Sequence, residues 1–348
     1  MFKLKFQPPS ARRYTFLGVQ ILVGGVLLLA ARQIYLTHSY YRSFLNVEAQ
    51  HLLDSVFVIM LTCLLAATLV RFLFQKKLPV TKLSLIFALV LKSTYSIVQF
   101  INRTPKRVKV TIDGETKVAL LSVLVKFFYI PLMISFLLGN YHGLVNNVQV
   151  ASHTELTFEI IFDLLVTALF TIDTLIFTCG YIFESDILQN RIRSVEPTVL
   201  GWVAALSTYP PFNGLTSQFI IMAGGATTFL AADVNANHII KAIILLCHVI
   251  FVSASVALGT KASNLTNRGI VSRGPYTVIR HPAYLAKLTA WFLEGLLFAP
   301  NIGYFFGWAG FVFIYSMRAI TEERHLSQDP DYIKYKQKVR WRIIPGLI

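Results

Sequence analysis

Residues 14–36 read YTFLGVQILVGGVLLLAARQIYL, a run of 23 residues in which Arg32 is the one charged side chain. A helix that crosses the hydrocarbon core of a bilayer needs about 20 mostly apolar residues. Lipid cannot satisfy free backbone groups, so such a run has to be helical. The run is too long for the core of a signal peptide, and it is interpreted as a retained span. It predicts an integral membrane protein.

Similar apolar runs recur along the 348 residues. They lie at roughly 52–74, 83–101, 118–139, 157–183, 215–232, 237–259, 284–300 and 302–320, and 215–232 is the weakest because glycines and threonines dilute it. Hydrophobic residues make up 55% of the chain and charged residues 14%, against about 25% charged residues in soluble domains. This composition excludes an ordinary soluble protein.

The chain is basic, with 32 Lys and Arg against 17 Asp and Glu and a net charge of +15. On a soluble chain this excess would point to nucleic acid, but here the basic residues lie between the apolar runs. Membrane lipids are therefore the expected partner, and no nucleic acid is expected. Cys63, Cys179 and Cys247 lie inside apolar runs without the spacing of a metal site or a disulfide framework, so no metal is expected. The sequence carries no signal for the oligomeric state.

The distribution of Lys and Arg orients the chain. The segment 140–156 contains neither residue, which predicts that it faces away from the cytoplasm. The basic stretches are 1–13, 71–82, 102–117, 261–287 and the C-terminal tail. Nine strictly alternating spans would place two of these stretches outside. The conflict disappears if 83–101, which turns polar after Leu91, lies in the interface.

The predicted fold is therefore an all-α, polytopic transmembrane protein. It has about eight spans plus one interfacial or re-entrant helix at 83–101, with both termini in the cytoplasm, and nine crossings are the alternative. Residues 106–118 read KRVKVTIDGETKV, in which apolar residues alternate before Asp113 and Gly114. That pattern predicts a small cytoplasmic β-hairpin.

Several ionisable residues fall within or at the ends of the predicted spans, namely Asp54, Lys126, Glu159, Asp163, Asp173 and Glu294. Charges at such depth are costly and are a functional hypothesis by default. A proton or ion path would make the protein a transporter, although the sequence has no repeated halves and no matched pair of broken helices. The alternative is that Glu159 lies at the headgroup level and that Asp163 binds a neighbouring helix.

The C-terminal quarter carries most of the chemical information. Residues 268–284 read RGIVSRGPYTVIRHPAY, two apolar runs follow, and residues 318–326 then read RAITEERHL. Two antiparallel helices would bring Arg280 and His281 to the same membrane face as Arg318 and Glu322. Arg318 and Glu322 are four residues apart and share a helix face. Such a mixture of cations and carboxylates beside an apolar wall suits a zwitterionic soluble ligand that meets a lipidic one.

The pattern GPYxxxRHPxY, a helical hairpin, RxxxEExxL and then YxxYxxxVxxRIIP resembles the isoprenylcysteine carboxyl methyltransferase and phospholipid methyltransferase superfamily. These are integral membrane enzymes that use S-adenosylmethionine. The resemblance covers about residues 268–348. It implies two parts, an N-terminal transmembrane region at 1–260 of unknown role and a catalytic core at 261–348.

The resemblance also implies roles for particular residues. S-adenosylmethionine would be bound by Tyr276, Arg280, His281, Pro282, Tyr284, Glu322, Glu323 and Leu326. Arg318 would point at the methyl-transfer centre with Glu322 as its partner, so these two are the expected catalytic residues. The tail, through Tyr332, Tyr335 and Arg342, would fold back as a lid.

Two positions depart from the family pattern. Ala286, followed by Lys287, stands where members often have a glycine that lets the backbone approach the cofactor. Glu294 stands where members usually carry a neutral residue. Glu294 and the nearby Trp291 are therefore candidate contacts for the substrate.

The methyl acceptor is expected to be a lipophilic or lipidated molecule that enters from the lipid, while the cofactor enters from the cytoplasm. A prenylcysteine-like carboxylate would need no base, and Arg318 would orient it. A phospholipid amine would make Glu322 or Glu323 the base, and a thiol or phenol would add His281. The segment 184–214 lies on the same predicted side and is a candidate rim of the pocket, the alternative being a plain loop.

Two rival functions stay open at this point. Membrane-bound ene reductases, including sterol reductases, have a related C-terminal pattern and bind NADPH, but they typically carry Asn where this chain has Ala283. The adjacent Glu322 and Glu323 favour the methyltransferases. The second rival is a transporter or scaffold with a degenerate hairpin.

Overall fold

The computed structural model describes residues 11–74, 80–103, 109–214, 218, 234–298 and 302–346. Within these ranges the chain is mostly helical, and the one sheet found there has two short strands. The prediction of an all-α protein is confirmed. The chain forms two compact units, residues 1–132 and 133–348. The functional boundary near residue 260 stays a prediction.

The helices of the described residues are named in chain order. They are α1 (Ala11–Thr37), α2 (Ser39–Arg42), α3 (Val47–Phe74), α4 (Lys82–Ile101), α5 (Gly114–His153), α6 (Phe158–Ile182), α7 (Val199–Leu206), α8 (Val234–Leu258), α9 (Pro282–Phe298), α10 (Ile302–Leu326) and α11 (Pro330–Lys338). The strands β1 (Ser194–Val195) and β2 (Thr266–Asn267) pair antiparallel, with Ser194 opposite Asn267. Short 3₁₀ turns occupy Gly259–Lys261 and Gly274–Thr277.

Six of the described helices, α1, α3, α4, α5, α6 and α8, are long and apolar enough to cross a membrane. This number is consistent with a multi-pass membrane protein. The predicted span at 215–232 lies outside the described residues. The runs at 284–300 and 302–320 form α9 and α10, and their crossing stays a prediction, as does the interfacial placement of α4.

Two local predictions differ from the structure, and both concern α5. The carboxylate of Asp113 accepts a hydrogen bond of 2.8 Å from the backbone N–H of Thr116, so Asp113 and Gly114 begin a helix instead of turning a hairpin. The first part of that predicted hairpin, residues 106–108, lies outside the described residues. The helix then continues through 140–153, predicted as a loop, because Gly143 is the one glycine there and proline is absent from that sequence.

In the unit of residues 1–132, two polar side chains of the apolar helices have partners elsewhere in that unit. Asp54, one of the acids predicted within a span, accepts two hydrogen bonds from the guanidinium of Arg32, at 2.7 and 2.9 Å. Gln20 is almost fully buried and donates to Thr81 at 2.7 Å. Burying a polar group costs free energy unless it is hydrogen-bonded. Asp54 therefore has a structural partner in Arg32.

The unit of residues 133–348 is built around α8, which packs against α6 and α9, while α10 packs against α7 and α9. One of its core clusters joins Phe162, Val166, Ile244, Cys247 and Ala290 from three of these helices. Gly180 of α6 lets the backbone carbonyl of Ala262 approach closely, since an added Cβ would lie 2.2 Å from that oxygen. This contact holds the loop before β2 against α6.

Candidate functional site

The loop that precedes α9 is held by the C-terminal tail. The backbone N–H groups of Arg280 and His281 donate to the carbonyls of Trp341 and Arg342, both at 2.9 Å. Ile279 forms a parallel bridge with Trp341. The tail therefore folds back onto the segment that the resemblance assigned to the cofactor.

Glu323 is the centre of a buried charged cluster. Its Oε1 lies 2.7 Å from Nε of Arg280 and 3.3 Å from Nε2 of His281, and its Oε2 lies 3.1 Å from Nε of Arg342. Burial alone would raise the pKa of Glu323. The hydrogen bond and charge of His281 and the charges of Arg280 and Arg342 outweigh it and lower that pKa to about 2. Glu323 is thus engaged by three basic side chains, which makes it an anchor for the loop and the tail.

Glu322, the adjacent residue, points into a different environment. Its side chain is half-exposed and accepts a hydrogen bond of 2.7 Å from the hydroxyl of Tyr284. The ring of Tyr284 stacks on His281 at a centroid distance of 5.0 Å. The guanidinium of Arg318 lies 5.3 Å from the centroid of the same ring. Tyr284 therefore ties the start of α9 to two predicted site residues on α10.

Arg318 is buried and held from two loops. It donates to the hydroxyl of Thr208 and to the side-chain carbonyl of Asn264, both at 2.7 Å. Its guanidinium also lies 5.1 Å from the ring centroid of Tyr315. Hydrogen bonds of this kind fix the rotamer of a long side chain. Arg318 is consequently a cation of fixed position.

The segment 184–214 lies against this site. The backbone N–H groups of Arg193 and Glu196 donate to the carbonyls of Asn267 and Leu265, which places β1 beside β2. The carboxylate of Glu196 accepts a hydrogen bond of 3.0 Å from Arg324 near the end of α10. Burial lowers the pKa of His325, which pairs with the hydroxyl of Ser194 at 2.8 Å. The segment thus forms part of the wall.

Two cavities meet in this unit. One has a volume of about 140 Å³ and is lined by the loop residues 263–271 with Glu196, Gly201 and Ala205. The other, about 550 Å³, lies among α5, α6, α8, α9 and α10 and is mainly apolar. Both are lined by Leu258, Ser263, Asn264, Tyr276, Arg280, His281, Tyr284, Arg318 and Glu322. These residues form a common wall between the smaller, more polar cavity and the larger, mainly apolar one.

The remaining predicted site residues are distributed around this wall. Leu326 lines the polar cavity, whereas Trp291 and Glu294 line the apolar one. Pro282 is the first residue of α9 and is buried. Glu323 lies in the charged cluster already described. The structure therefore brings the predicted residues into one region, at different depths.

Three further residues that shape the site were not predicted from the sequence. Thr208 and Asn264 hold Arg318, and no spacing in the sequence marks a hydroxyl and an amide from separate loops as partners. His248 lines the apolar cavity beside Glu294. Its position inside an apolar run was the available signal, because a histidine at membrane depth is uncommon.

The acids at the other end of α6 have partners away from the wall. Oε1 of Glu159 lies 3.0 Å from Nε2 of His238 and 4.0 Å from Nζ of Lys241. Asp163, one turn further, accepts a hydrogen bond on its backbone carbonyl from Asn147 at 3.2 Å. These contacts give Glu159 two basic partners, and an ion path along α6 stays a prediction.

Comparison with protein-family models, with curated proteins and with solved structures finds no match for this chain.

Proposed function

We propose that this protein is an integral membrane methyltransferase that moves the methyl group of S-adenosylmethionine to a lipophilic acceptor. The observation that carries the proposal is the common wall between the two cavities. A soluble, charged cofactor and an acceptor dissolved in lipid need two unlike compartments with one shared boundary. Arg318, Tyr284 and Glu322 stand at that boundary.

The chemistry of the wall fits such a cofactor. Glu322 offers a carboxylate to an ammonium group or to ribose hydroxyls, and Arg280 offers a guanidinium to a carboxylate. The ring of Tyr276, which lines both cavities, suits a sulfonium cation. The ring of Tyr284 already contacts His281 and Arg318. Its hydroxyl donates a hydrogen bond to Glu322 and would therefore position the carboxylate of Glu322.

The volumes of the two cavities indicate that the cofactor would extend from the polar cavity past the common wall into the apolar one. Small-molecule sites usually measure about 300–1,000 Å³, whereas the polar cavity has about 140 Å³. A ligand of the size of S-adenosylmethionine therefore needs space on both sides of the wall. The bound cofactor would supply an electrophilic methyl group, and methyl transfer depends mainly on alignment and on the exclusion of water.

The residues of the chain would act by holding and orienting. Arg318 is fixed by Thr208 and Asn264 and faces the apolar cavity, so it can orient a carboxylate acceptor and offset the cost of removing it from water. A carboxylate acceptor needs no base. An amine acceptor would lose a proton, and the half-exposed Glu322 is the group placed to take it.

The decisive experiment is a titration of the detergent-purified protein by calorimetry, with S-adenosylhomocysteine and with NADPH in separate runs. We expect saturable binding of S-adenosylhomocysteine that is lost in Glu322→Ala and retained in Glu155→Ala. Glu155 is a matched exposed carboxylate in the loop between α5 and α6. Binding of NADPH alone would reassign the protein to the reductases, and binding of neither by folded protein would overturn the proposal.

Turnover supplies a second test. With radiolabelled S-adenosylmethionine and membrane lipid extract, Arg318→Ala and Glu322→Ala should abolish transfer of label while the protein stays folded and inserted. Full activity in both variants would remove the site assignment.

A further inference from the structure

The apolar cavity contains polar groups at two depths along α9. Lys287, Trp291 and Glu294 follow the spacing i, i+4 and i+7, so they share one face of the helix, and all three line the cavity. Seven residues at 1.5 Å per residue separate Lys287 from Glu294 by about 10 Å along the axis. The cavity therefore has a near end at the common wall and a far end beside Glu294.

The near end is rich in charge. Arg318 and Glu322 belong to the common wall, and Lys287 and the buried Asp173 line the cavity with them. The ammonium of Lys287 lies 4.5 Å from the ring centroid of Phe251 and 5.5 Å from that of Trp291. These groups suit the polar, methyl-accepting end of a ligand.

The far end consists of a buried histidine and glutamate. His248 and Glu294 are 4% and 2% exposed, and Nε2 of His248 lies 3.4 Å from Oε1 of Glu294. Among the residues that the structure describes, neither Nε2 of His248 nor Oε2 of Glu294 has a hydrogen-bond partner. Between its two ends the apolar cavity is lined by Phe170, Phe251 and Trp291.

A ligand made only of hydrocarbon would fit this far end poorly. It would leave a carboxylate oxygen and an imidazole nitrogen desolvated without a partner, which is costly. Buried polar groups are stable only when hydrogen bonds satisfy their atoms. A ligand with a second hydrogen-bonding group at this depth would provide them.

We propose that the acceptor is a bipolar molecule, with its methyl-accepting group at the common wall, an apolar body along Phe251 and Trp291, and a second hydrogen-bonding group held by His248 and Glu294. This inference rests on the proposed function only in identifying the ligand as the methyl acceptor. The recognition of a bipolar ligand depends on the cavity alone. Glu294 and His248 are then the residues that select this ligand over a simple lipid tail.

The test compares two tritium-labelled probes on protein in phosphatidylcholine nanodiscs, with empty nanodiscs as the background. One probe is decanol, and the other is a decanediol that carries a hydroxyl at each end. We expect the diol to bind about tenfold more tightly, since leaving a buried polar group without its hydrogen bond costs about that factor. The preference should fall below about threefold in Glu294→Leu and in His248→Phe.

Two further variants make the result specific. Glu294→Gln replaces the carboxylate with an amide of the same size that still forms hydrogen bonds, and it should retain most of the preference for the diol. Glu159→Leu removes the carboxylate of another His–Glu pair, with His238, and neither residue is among those lining the two cavities in the described part of the chain. It should leave the preference unchanged. Equal binding of the two probes, no binding of the diol, or a preference that persists in Glu294→Leu would overturn the inference.

Titration of the same samples with S-adenosylhomocysteine separates the two proposals. Binding of S-adenosylhomocysteine without a preference for the diol would overturn the bipolar acceptor and leave the methyltransferase. A preference for the diol without binding of S-adenosylhomocysteine would overturn the methyltransferase and leave a cavity for bipolar ligands. Failure of both would overturn both.

Discussion

Arg280 and Glu323 are joined by a hydrogen bond of 2.7 Å between Nε and Oε1, although 43 residues separate them in the sequence. Both side chains are more than nine-tenths buried. Arg280 belongs to the loop before α9 and Glu323 to the end of α10, so the pair fixes the loop against the helical hairpin. Removing one partner of a buried pair leaves an uncompensated charge and costs about 3–5 kcal/mol.

The first prediction concerns the acid stability that Glu323 confers. The pKa of its carboxyl falls from an ordinary value of 4.5 to about 2 in the folded protein. A depressed pKa in the folded state means that the stabilisation is complete above about pH 4.5 and is lost as the pH falls towards 2. We expect Glu323→Gln to be less stable than the wild type at pH 7 by several kcal/mol, and the difference to shrink in acid.

Thermal unfolding in detergent between pH 7 and pH 3 measures this difference. Glu155→Gln, an exposed carboxylate changed in the same way, should follow the wild type throughout. A constant gap between Glu323→Gln and the wild type across this range would contradict the assignment.

The second prediction concerns the tail. Arg342 reaches Glu323 with 3.1 Å between Nε and Oε2, whereas Arg340, two residues earlier, is exposed. Arg342→Gln should therefore loosen the tail, seen as faster cleavage by trypsin within α11 and about a tenfold weaker binding of S-adenosylhomocysteine. Arg340→Gln is the matched control and should leave affinity unchanged and cleavage within α11 no faster. Equal cleavage rates in the two variants would show that the ion pair does not hold the tail.

The sequence predicted the elements of the C-terminal core because chemistry and spacing coincide there. Arg318, Glu322 and Glu323 lie on one helix, so their relation follows from the helical repeat. Two antiparallel helices must return the chain to one face, and this brought Arg280 near Glu323. The different roles of the adjacent Glu322 and Glu323 were not predicted, because they depend on which of them points at Arg280, His281 and Arg342.

The predictions that differ from the structure, and the contacts that were not predicted, also have local causes. Asp113 and Gly114 match the signal of a hairpin turn, but the same aspartate is a good N-terminal cap, and the apolar run after it favours a helix. The extension of α5 beyond residue 139 was not predicted from the sequence. Hydropathy falls at that point, which marks the end of an apolar span, but a helix can continue beyond its apolar part. Partners from separate loops, such as Thr208 and Asn264, have no periodic signal at all.

The third prediction concerns the close contact between α6 and the loop before β2. A Cβ at Gly180 would lie 2.2 Å from the backbone oxygen of Ala262, which cannot move without shifting the loop. Gly180→Ala should destabilise the protein by about 1–3 kcal/mol, as overpacking usually does. Gly143→Ala is the matched control, since its Cβ would meet Thr167 at an ordinary 3.5 Å. It should be neutral or stabilising by up to about 1 kcal/mol. Denaturation of the purified variants by heat compares them, and equal stability would contradict the packing argument.

The fourth prediction concerns the groups that hold Arg318. Asn264→Ala and Thr208→Val each remove one of its hydrogen bonds of 2.7 Å. A misplaced positioning group can cost about a hundredfold in rate. We therefore expect kcat to fall by about tenfold to a hundredfold in both variants. The affinity for S-adenosylhomocysteine should change by less than about threefold in Thr208→Val, because Thr208 is not among the residues that line either described cavity, whereas Asn264 lines both. Radiolabel transfer gives kcat, and calorimetry gives the affinity.

Two controls distinguish positioning from general damage. Thr208→Ser keeps the hydroxyl and should recover most of kcat, because the acceptor for the guanidinium is still present. Asn147→Ala removes hydrogen bonds of 3.2 and 3.3 Å to α6, at a residue that does not line either described cavity, and should not change kcat. If Thr208→Val and Thr208→Ser lose the same activity, or if cofactor affinity falls in step with kcat, Arg318 is not positioned by these bonds. The orientation of the acceptor would then fall to Lys287, which also lines the apolar cavity, since Arg280 is engaged by Glu323.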